Sequence, residues 1–484
     1  MSYKEKIIKQ LRKGYSPIEA GPKEEINRIF KNAFKPRVDR NDLDFFFELF
    51  DSTETKLRAW SFLGIYLILD DKDIIDNKKK LRVQKIILDL LNDTSDIEYF
   101  GGSSEIKASL REHHIRRVCA LNKSIIFEPV YEYVTSLDCI TDEVIGELFE
   151  QVLARVPDPR VEPLIIRHTK NLPDDNFILK YHMINAFENL GKIITLQNKE
   201  SITEIFKNCL IDIKHDQIDS KEVNQRKKRL QEAVIKSAAI LDLDLEEETL
   251  KFLNALEQPY DNLIYIAIKY KKNQKFTSIL LKKLEESQNP HLIKDLLIAI
   301  LIAKESMENW KDLITENLNK YQIIDGDLIE EIQKTDLYNE DMLLNILNEG
   351  EKWQLEFIRE FFKNNPEKLE VWSKFRDELI NILKFFKATN ESWNKYPSIK
   401  EKKELVLKLL IDLEWTDMAN YCLDNFINLE DTQLRKMALF VIIKFGKDEL
   451  MLELKDYLKN DKDSAVFFKK FWRNMENREW KFFY

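Results

Sequence analysis

The sequence predicts an all-α protein, an α-solenoid of stacked antiparallel helix pairs coiling into a right-handed superhelix. Three observations predict it. Only 10 glycines and 12 prolines occur in 484 residues, too few for the turn every ~8–12 residues that a strand-rich fold requires. Apolar residues recur at helical spacing, as in Leu434, Met437, Ala438, Val441, Ile442 and Phe445, which share one helix face. The stretch KLRAWSFLGIYLILD, ending at Asp70, is apolar almost all round. Neighbours must cover both of its flanks, which a stack can do and a lone helical hairpin cannot.

At the N-terminal end, Ile7, Ile8 and Leu11 make a short amphipathic helix that Gly14 and Pro17 end. Gly21-Pro22 opens a second helix through Ile26, Ile29 and Phe30, closed by Pro36. Residues 1–40 thus form a helical cap over the first repeat face, because a solenoid needs atypical ends. Next, Leu43–Phe50 pairs with Leu57–Leu69, and Asp51-Ser52-Thr53 offers side chains to the free amides of the second helix. Gly101-Gly102-Ser103-Ser104 reads as a turn and N-cap before a helix over Ile106–Leu121. Further second helices are expected at Glu143–Val156, Ile178–Ile194, Leu230–Leu241, Leu263–Lys271, Leu292–Ala303 and Gln433–Gly446. The best-formed pair spans Arg160–Gly191, broken at Leu172-Pro173-Asp174-Asp175. Residues 41–387 form the repeat array, and 388–484 form C-terminal repeats with an aromatic-rich end helix.

These pairs resemble HEAT repeats, two-helix units of ~40–47 residues. The resemblance rests on an acidic turn, a basic residue, an alanine and a glycine ending. They stand here as Asp175, Lys180, Ala186 and Leu190-Gly191; as Asp431, Arg435, Ala438 and Gly446; and more loosely as Asp51, Arg58, Ala59 and Leu63-Gly64. The resemblance implies that the charged residues cap and bridge adjacent repeats while Ala admits close helix approach. It implies an architecture and no chemistry. The pattern fades from Glu305 to Asn394, where Trp310, Trp353 and Trp372 appear.

Charge narrows the function classes. Acidic residues number 85 and basic residues 76, for a net charge of −9. Such even mixing suits solvated, salt-bridged helix faces and lacks the basic excess of a general nucleic-acid binder. Cys119, Cys139, Cys209 and Cys422 show no CxxC spacing and read as reduced, mostly buried thiols. The opening MSYKEKIIKQLRKGY lacks the apolar stretch of a signal peptide, and no run approaches ~18 apolar residues. A cytoplasmic protein is expected.

Each chemistry-bearing feature has a plain structural explanation beside it. His113-His114 is the only histidine pair, but adjacent helical residues diverge, so it reads as a polar helix face with Arg116 and Arg117 nearby. His182, Asn185 and Asn189 share a polar stripe. In the family resembled, second helices line the concave surface, so this stripe is a candidate binding strip with Arg116 and Arg117. Lys78, Lys79 and Lys80, and Arg226, Lys227, Lys228 and Arg229, are candidate contacts for an anionic ligand. Lys269–Lys275 needs no partner, because cations at a helix C-terminus are favourable by themselves. Phe468, Phe471, Trp472 and Met475 fall at helical spacing in an end helix, and Trp472, Trp480, Phe482, Phe483 and Tyr484 form a candidate docking end. The sequence carries no Ca²⁺ loop, phosphate loop, GxSxG or HExxH motif, and no cofactor or metal is expected.

The reading is a non-catalytic scaffold or adaptor that binds protein partners along a curved helical surface. The alternative is a nucleic-acid-binding protein similar to HEAT-like alkylpurine DNA glycosylases, acting through a basic groove. A lyase role like that of HEAT-type bilin lyases rests on fold analogy alone.

Overall fold

Helix after helix in this chain starts on a short polar side chain that accepts a backbone N–H of the first turn. Asp42 accepts from Phe45, Asp76 from Lys79, Asn176 from Leu179 and Asp325 from Leu328. A computed structural model describes residues 3–13, 34–70, 76–101, 104–211, 220–384, 399–423, 432–445, 448–460, 466 and 469. It divides into two compact units, 1–252 and 253–484.

In the first unit, α1 (Tyr3–Lys13) and α2 (Lys35–Asp39) precede a run of helix pairs. These are α3 (Leu43–Phe50) with α4 (Thr55–Asp70), α5 (Asn77–Asn92) with α6 (Leu110–Ala120), and α7 (Lys123–Ser136) with α8 (Glu143–Gln151). They continue as α9 (Val161–Lys170) with α10 (Phe177–Gly191), and α11 (Lys199–Ile211) with α12 (Lys221–Ile240). The second member of each pair packs on the second member of the next: α4 on α6, α6 on α8, α8 on α10, and α10 on α12. First members do likewise, α3 on α5, α5 on α7 and α9 on α11. Two rows of helices, each contacting its sequence neighbours in the stack, are the solenoid arrangement. Both α1 and α2 rest on α4 at the start of the stack. The second cap helix expected at Ile26–Phe30 lies outside the described residues.

The second unit repeats the plan. After α13 (Glu246–Asn254), which straddles the division, come α14 (Leu263–Tyr270), α15 (Gln274–Glu286), α16 (Pro290–Ile302), α17 (Trp310–Tyr321) and α18 (Gly326–Gln333). They are followed by α19 (Glu340–Glu349), α20 (Lys352–Asn364), α21 (Pro366–Val371), α22 (Ser373–Lys384), α23 (Ile399–Asp412), α24 (Thr432–Phe445) and α25 (Asp448–Asn460). One row runs α14, α16, α18, α20, α23, α24, each packed on the next. The described part of the stretch in which the repeat pattern fades, residues 305–384, is therefore still stacked helices.

Among the described residues, one segment forms strands. Ile106 does not begin a helix: β1 (Asp96–Gly101) and β2 (Ser104–Ser109) pair antiparallel, with Asp96 opposite Ser109 and Gly101 opposite Ser104. Ser109 stops the strand and caps α6, accepting from Glu112 N while the Glu112 side chain accepts from Ser109 N. The alternation in DIEYF and SEIKAS around Gly101-Gly102 is a hairpin signal.

Large side chains fill the space between rows. Trp60, Phe46, Phe62, Phe149, Phe187 and Phe206 are fully buried in the first unit, and Phe276, Phe357, Phe361 and Phe362 in the second. Burying each such side chain is worth about 1.5–3 kcal/mol. Gly64 faces the Phe46 ring, where a Cβ would lie 2.3 Å from Cε1, so α3 and α4 meet at a distance only glycine allows.

Charged ties cross the seams. Arg58 in α4 donates to Asp93 (2.8 Å) and Ser95 (3.2 Å) beyond α5, and to the carbonyls of Ser52 and Thr53. Arg111 in α6 bonds Asp142, the N-cap of α8. Glu162, only 2% exposed, accepts the N–H groups of Gln197 (3.0 Å) and Asn198 (2.7 Å) and the Asn198 side-chain amide (2.9 Å) ahead of α11. In α10, buried Glu188 accepts from Ser237 (2.7 Å) and pairs with Lys192 and Lys236. Burial pushes the Glu188 pKa up, but the bonds from Lys192 and Ser237 and the Lys236 charge outweigh it and leave it lowered. In the second unit Arg359 in α20 grips Asp412 in α23 through two nitrogens. Of the acid–base positions in the sequence pattern, Arg58 bridges repeats, Lys180 bonds the Asp174 carbonyl within its own pair, and Asp431 and Gly446 lie outside the described residues.

The histidine pair is not a solvated face. His114 is fully buried against Phe62, and the Arg117 guanidinium lies 3.2 Å from its Nδ1. His168 is likewise buried against Phe149, with Arg167 2.7 Å from Nε2. Arginine only donates, so in each ring the contacted nitrogen is the neutral acceptor. Burial first, and the neighbouring charges second, hold His114 well below the usual histidine range and His168 at about 4.

Glu162→Ala should destabilise the first unit by about 1–3 kcal/mol, since the hydrogen bonds that tie its buried carboxylate to the Gln197 and Asn198 amides are lost; an unchanged urea midpoint would refute the tie. Because the folded pKa values of His114 and His168 are lowered, the unfolded chain binds more protons in mild acid. Stability should therefore fall as pH drops below about 6.5 toward about 4. His168→Gln should flatten that slope in urea titrations at several pH values.

Candidate functional site

The sequence-derived strip residues lie on α6 and α10, on the two helices that pack against α8, and two of them meet α8 carboxylates. His182 Nδ1 is 2.7 Å from Glu150 Oε2, and Asn189 donates to the Glu150 carbonyl at 3.2 Å. One turn earlier on α8, Glu147 lies 3.7 Å from the Arg116 guanidinium, whose side chain is 87% exposed. Asn185 is half-buried on the same helix as His182. Gly146 permits the approach: a Cβ there would stand 2.8 Å from His182 Cβ and 2.9 Å from Leu179 Cδ1. Beneath the carboxylates, burial pushes the Cys119 thiol up to about 12, with Glu147 adding to the shift. Arg117 turns inward to the His113 carbonyl and His114. His182 and His168 take separate partners, Glu150 and Arg167.

The basic clusters are occupied to different degrees. Lys78, Lys79 and Lys80 stand in the first turn of α5, with Lys79 3.9 Å from Asp76. Arg226 pairs with Glu222 (2.8 Å) and with Glu143 of α8 (3.5 Å), and Lys228 lies 3.7 Å from Glu232. Lys227 is buried, its ammonium 5.5 Å above the Phe177 ring, whereas Arg229 is exposed. These two clusters sit in opposite rows, on α5 and α12. The docking end Trp472, Trp480, Phe482, Phe483 and Tyr484 lies outside the described residues.

A concave site that sequence reasoning missed lies in the second unit. A cleft of about 340 Å³ opens along α14, α16 and α18. Helix α16 supplies the floor: PHLIKDLLIAILI is apolar except for Lys294, Asp295 and the exposed His291 near its start. Leu263, Ile264 and Ile298 give apolar lining, and five carboxylates ring it against two lysines. Asp295, buried, accepts the Tyr260 N–H at 2.8 Å and lies 3.4 Å from Lys294. Lys294 also reaches Asp325, the N-cap of α18, at 3.8 Å. Across the cleft, Lys334 pairs with Glu331 (2.6 Å) and Glu330 (3.2 Å). Asp261 and Asp327 are exposed and have no ion-pair partner among the described residues. Burial raises the Asp295 pKa despite the Tyr260 bond and Lys294. Two signals were legible: an adjacent Lys-Asp pair inside an apolar helix, and Asp327, Glu330 and Glu331 at i, i+3 and i+4.

Beside the cleft, α14 carries an apolar stripe outward. Ile264 lines the cleft, and Ile268, one turn on, is 54% exposed, with Tyr265 beside it 40% exposed.

The four cysteines are free, with Cys209 and Cys422 buried, Cys119 half-buried and Cys139 exposed. The exposed Cys139 departs from the expectation of mostly buried thiols. Among the described residues, no three His, Cys, Asp or Glu side chains converge as a metal would need, and no helix is long and apolar enough to cross a membrane.

No family model matches the chain, and no curated protein matches it. Solved structures that resemble it include an engineered protein, 12% identical with a TM-score of 0.38, covering 86% of this chain and 99% of that one. Importin beta, crystallised in an ammonium sulfate condition, is 10% identical with a TM-score of 0.46, and 91% of this chain spans 56% of it. The helical-repeat assignment stands on the order in which this chain's own helices pack.

Gly146→Ala should destabilise the first unit by about 1–3 kcal/mol through overpacking. It should also shift the His182 ring signals in NMR spectra as the ring leaves Glu150; unchanged signals would show that α8 and α10 can separate freely.

Proposed function

We propose that this chain is a HEAT-like scaffold that binds a protein partner along its stacked helices. The observation that supports this most is the continuity of the exposed Tyr265 and Ile268 stripe with the open cleft along α14, α16 and α18. Single exposed apolar side chains are ordinary on a protein surface. A stripe that runs into a concavity has the apolar centre and polar rim of a protein interface. The strip of His182, Asn185, Asn189 and Arg116 is a second partner-facing surface in this reading, with Glu147 and Glu150 fixing its geometry. Helical stacking supplies what such a scaffold needs, a long surface held by nearest-neighbour contacts.

The nucleic-acid alternative has less support. Arg226 is already paired with two glutamates, Lys227 is buried, and the concave site is acidic. A salt titration separates the two readings, because phosphate contacts lose affinity steeply as salt rises.

Purified tagged chain should recover a stoichiometric protein partner from native lysate, and the complex should re-form from the two purified components. Tyr265→Ala with Ile268→Ser should weaken the reconstituted complex by about tenfold or more. A folded chain that recovers nothing at low salt would refute the scaffold reading.

A further inference from the structure

We infer that the cleft along α14, α16 and α18 receives a segment of a partner protein that carries lysine or arginine next to an aliphatic residue. This rests on the scaffold reading and names the chemistry of its partner.

The charge pattern selects a cation. Both lysines in the cleft are already shared, Lys294 between Asp295 and Asp325, and Lys334 between Glu330 and Glu331. Asp261 and Asp327 remain exposed at opposite walls, one just before α14 and one in the first turn of α18. A cation entering between them meets two exposed carboxylates that form no ion pair among the described residues, although Asp261 lies within the field of Lys294. Asp295 adds a further pull from the floor. Its carboxylate is buried, and burial outweighs its bond from Tyr260 and its contact with Lys294, so another positive charge would stabilise its ionised form. An anion, whether phosphate, nucleic acid or an acidic lipid surface, would meet five carboxylates against two lysines that are already paired.

The apolar surface selects a peptide over a free cation. Ile264 and Ile298 lie within the cleft, and Ile268 continues the Ile264 face outward. Lysine and arginine bury their methylene stems on apolar surface while the charged head reaches a carboxylate. A neighbouring aliphatic side chain would then cover Ile268 and Tyr265. At about 340 Å³ the cleft is near the lower limit of ligand pockets, roughly 300–1,000 Å³, and suits one or two side chains.

Fluorescence anisotropy on the full chain tests this, using a short fluorescein-labelled peptide that alternates Lys with Leu. Saturable binding is expected, weakened roughly tenfold by the isosteric pair D261N and D327N and by the pair I264S and I268S. A peptide with Glu in place of Lys should not bind. Helical circular dichroism confirms that each variant is folded, and the surface position of the two aspartates keeps that pair informative if the isoleucine variant is not. Equal affinity of wild type and D261N/D327N would overturn the inference. Binding that ignores I264S/I268S and is fully displaced by spermine would overturn it in favour of a free polycation. If D261N/D327N loses the peptide yet the partner complex forms undiminished, the scaffold stands and this assignment of the cleft falls. If the peptide binds as expected but no partner protein is recovered, the scaffold reading falls instead.

Discussion

Charged side chains that cross from one repeat to the next hold this fold in register. A helical stack has no long-range core, so each pair of helices depends on its neighbours alone. Apolar packing supplies most of the free energy and is non-directional in origin. A buried carboxylate adds a demand for donors at fixed positions. Glu162 holds two backbone amides and a side-chain amide ahead of α11, and any slide would leave its buried charge without those donors. Arg58 to Asp93, Arg111 to Asp142, and Arg359 to Asp412 act in the same way at other seams.

That constraint determines which polar groups are left over. His182, Asn189 and Arg116, named from the sequence as a candidate strip, each touch α8 through Glu147 or Glu150. They tie repeats while remaining partly accessible. Lys227 and Arg226 show the same economy, one under Phe177 and the other between two glutamates. A basic cluster read as a row of adjacent residues is divided by helical geometry into buried and exposed members, since neighbours in sequence point ~100° apart.

The helix pairs were legible because their period and punctuation are local. Expected second helices over Ile178–Ile194, Leu263–Lys271 and Leu292–Ala303 correspond to α10, α14 and α16 within a few residues. What escaped was non-local or short. The hairpin before α6 spans two six-residue strands, and its alternation was masked by the helical signal that begins at Leu110. The burial of His114 depends on Phe62 from the preceding pair, which its own helix does not reveal. The cleft needed three helices from separate pairs, so its carboxylates, far apart in sequence, read as ordinary solvated positions.

The distribution of charge links these points. A net charge of −9 over 484 residues looks diffuse, and at most seams acids and bases cancel because an unpaired charge there would be costly. Cancellation fails in the cleft, where five carboxylates meet two lysines. Lys294 and Asp295 belong to both settings: with Tyr260 and Asp325 they tie α16 to the turns before α14 and α18, and they also form the cleft wall. A cation bound there would engage the same carboxylate that fixes the register of the stack. Binding at this cleft would therefore be thermodynamically linked, through Asp295, to the stability of the repeats around it.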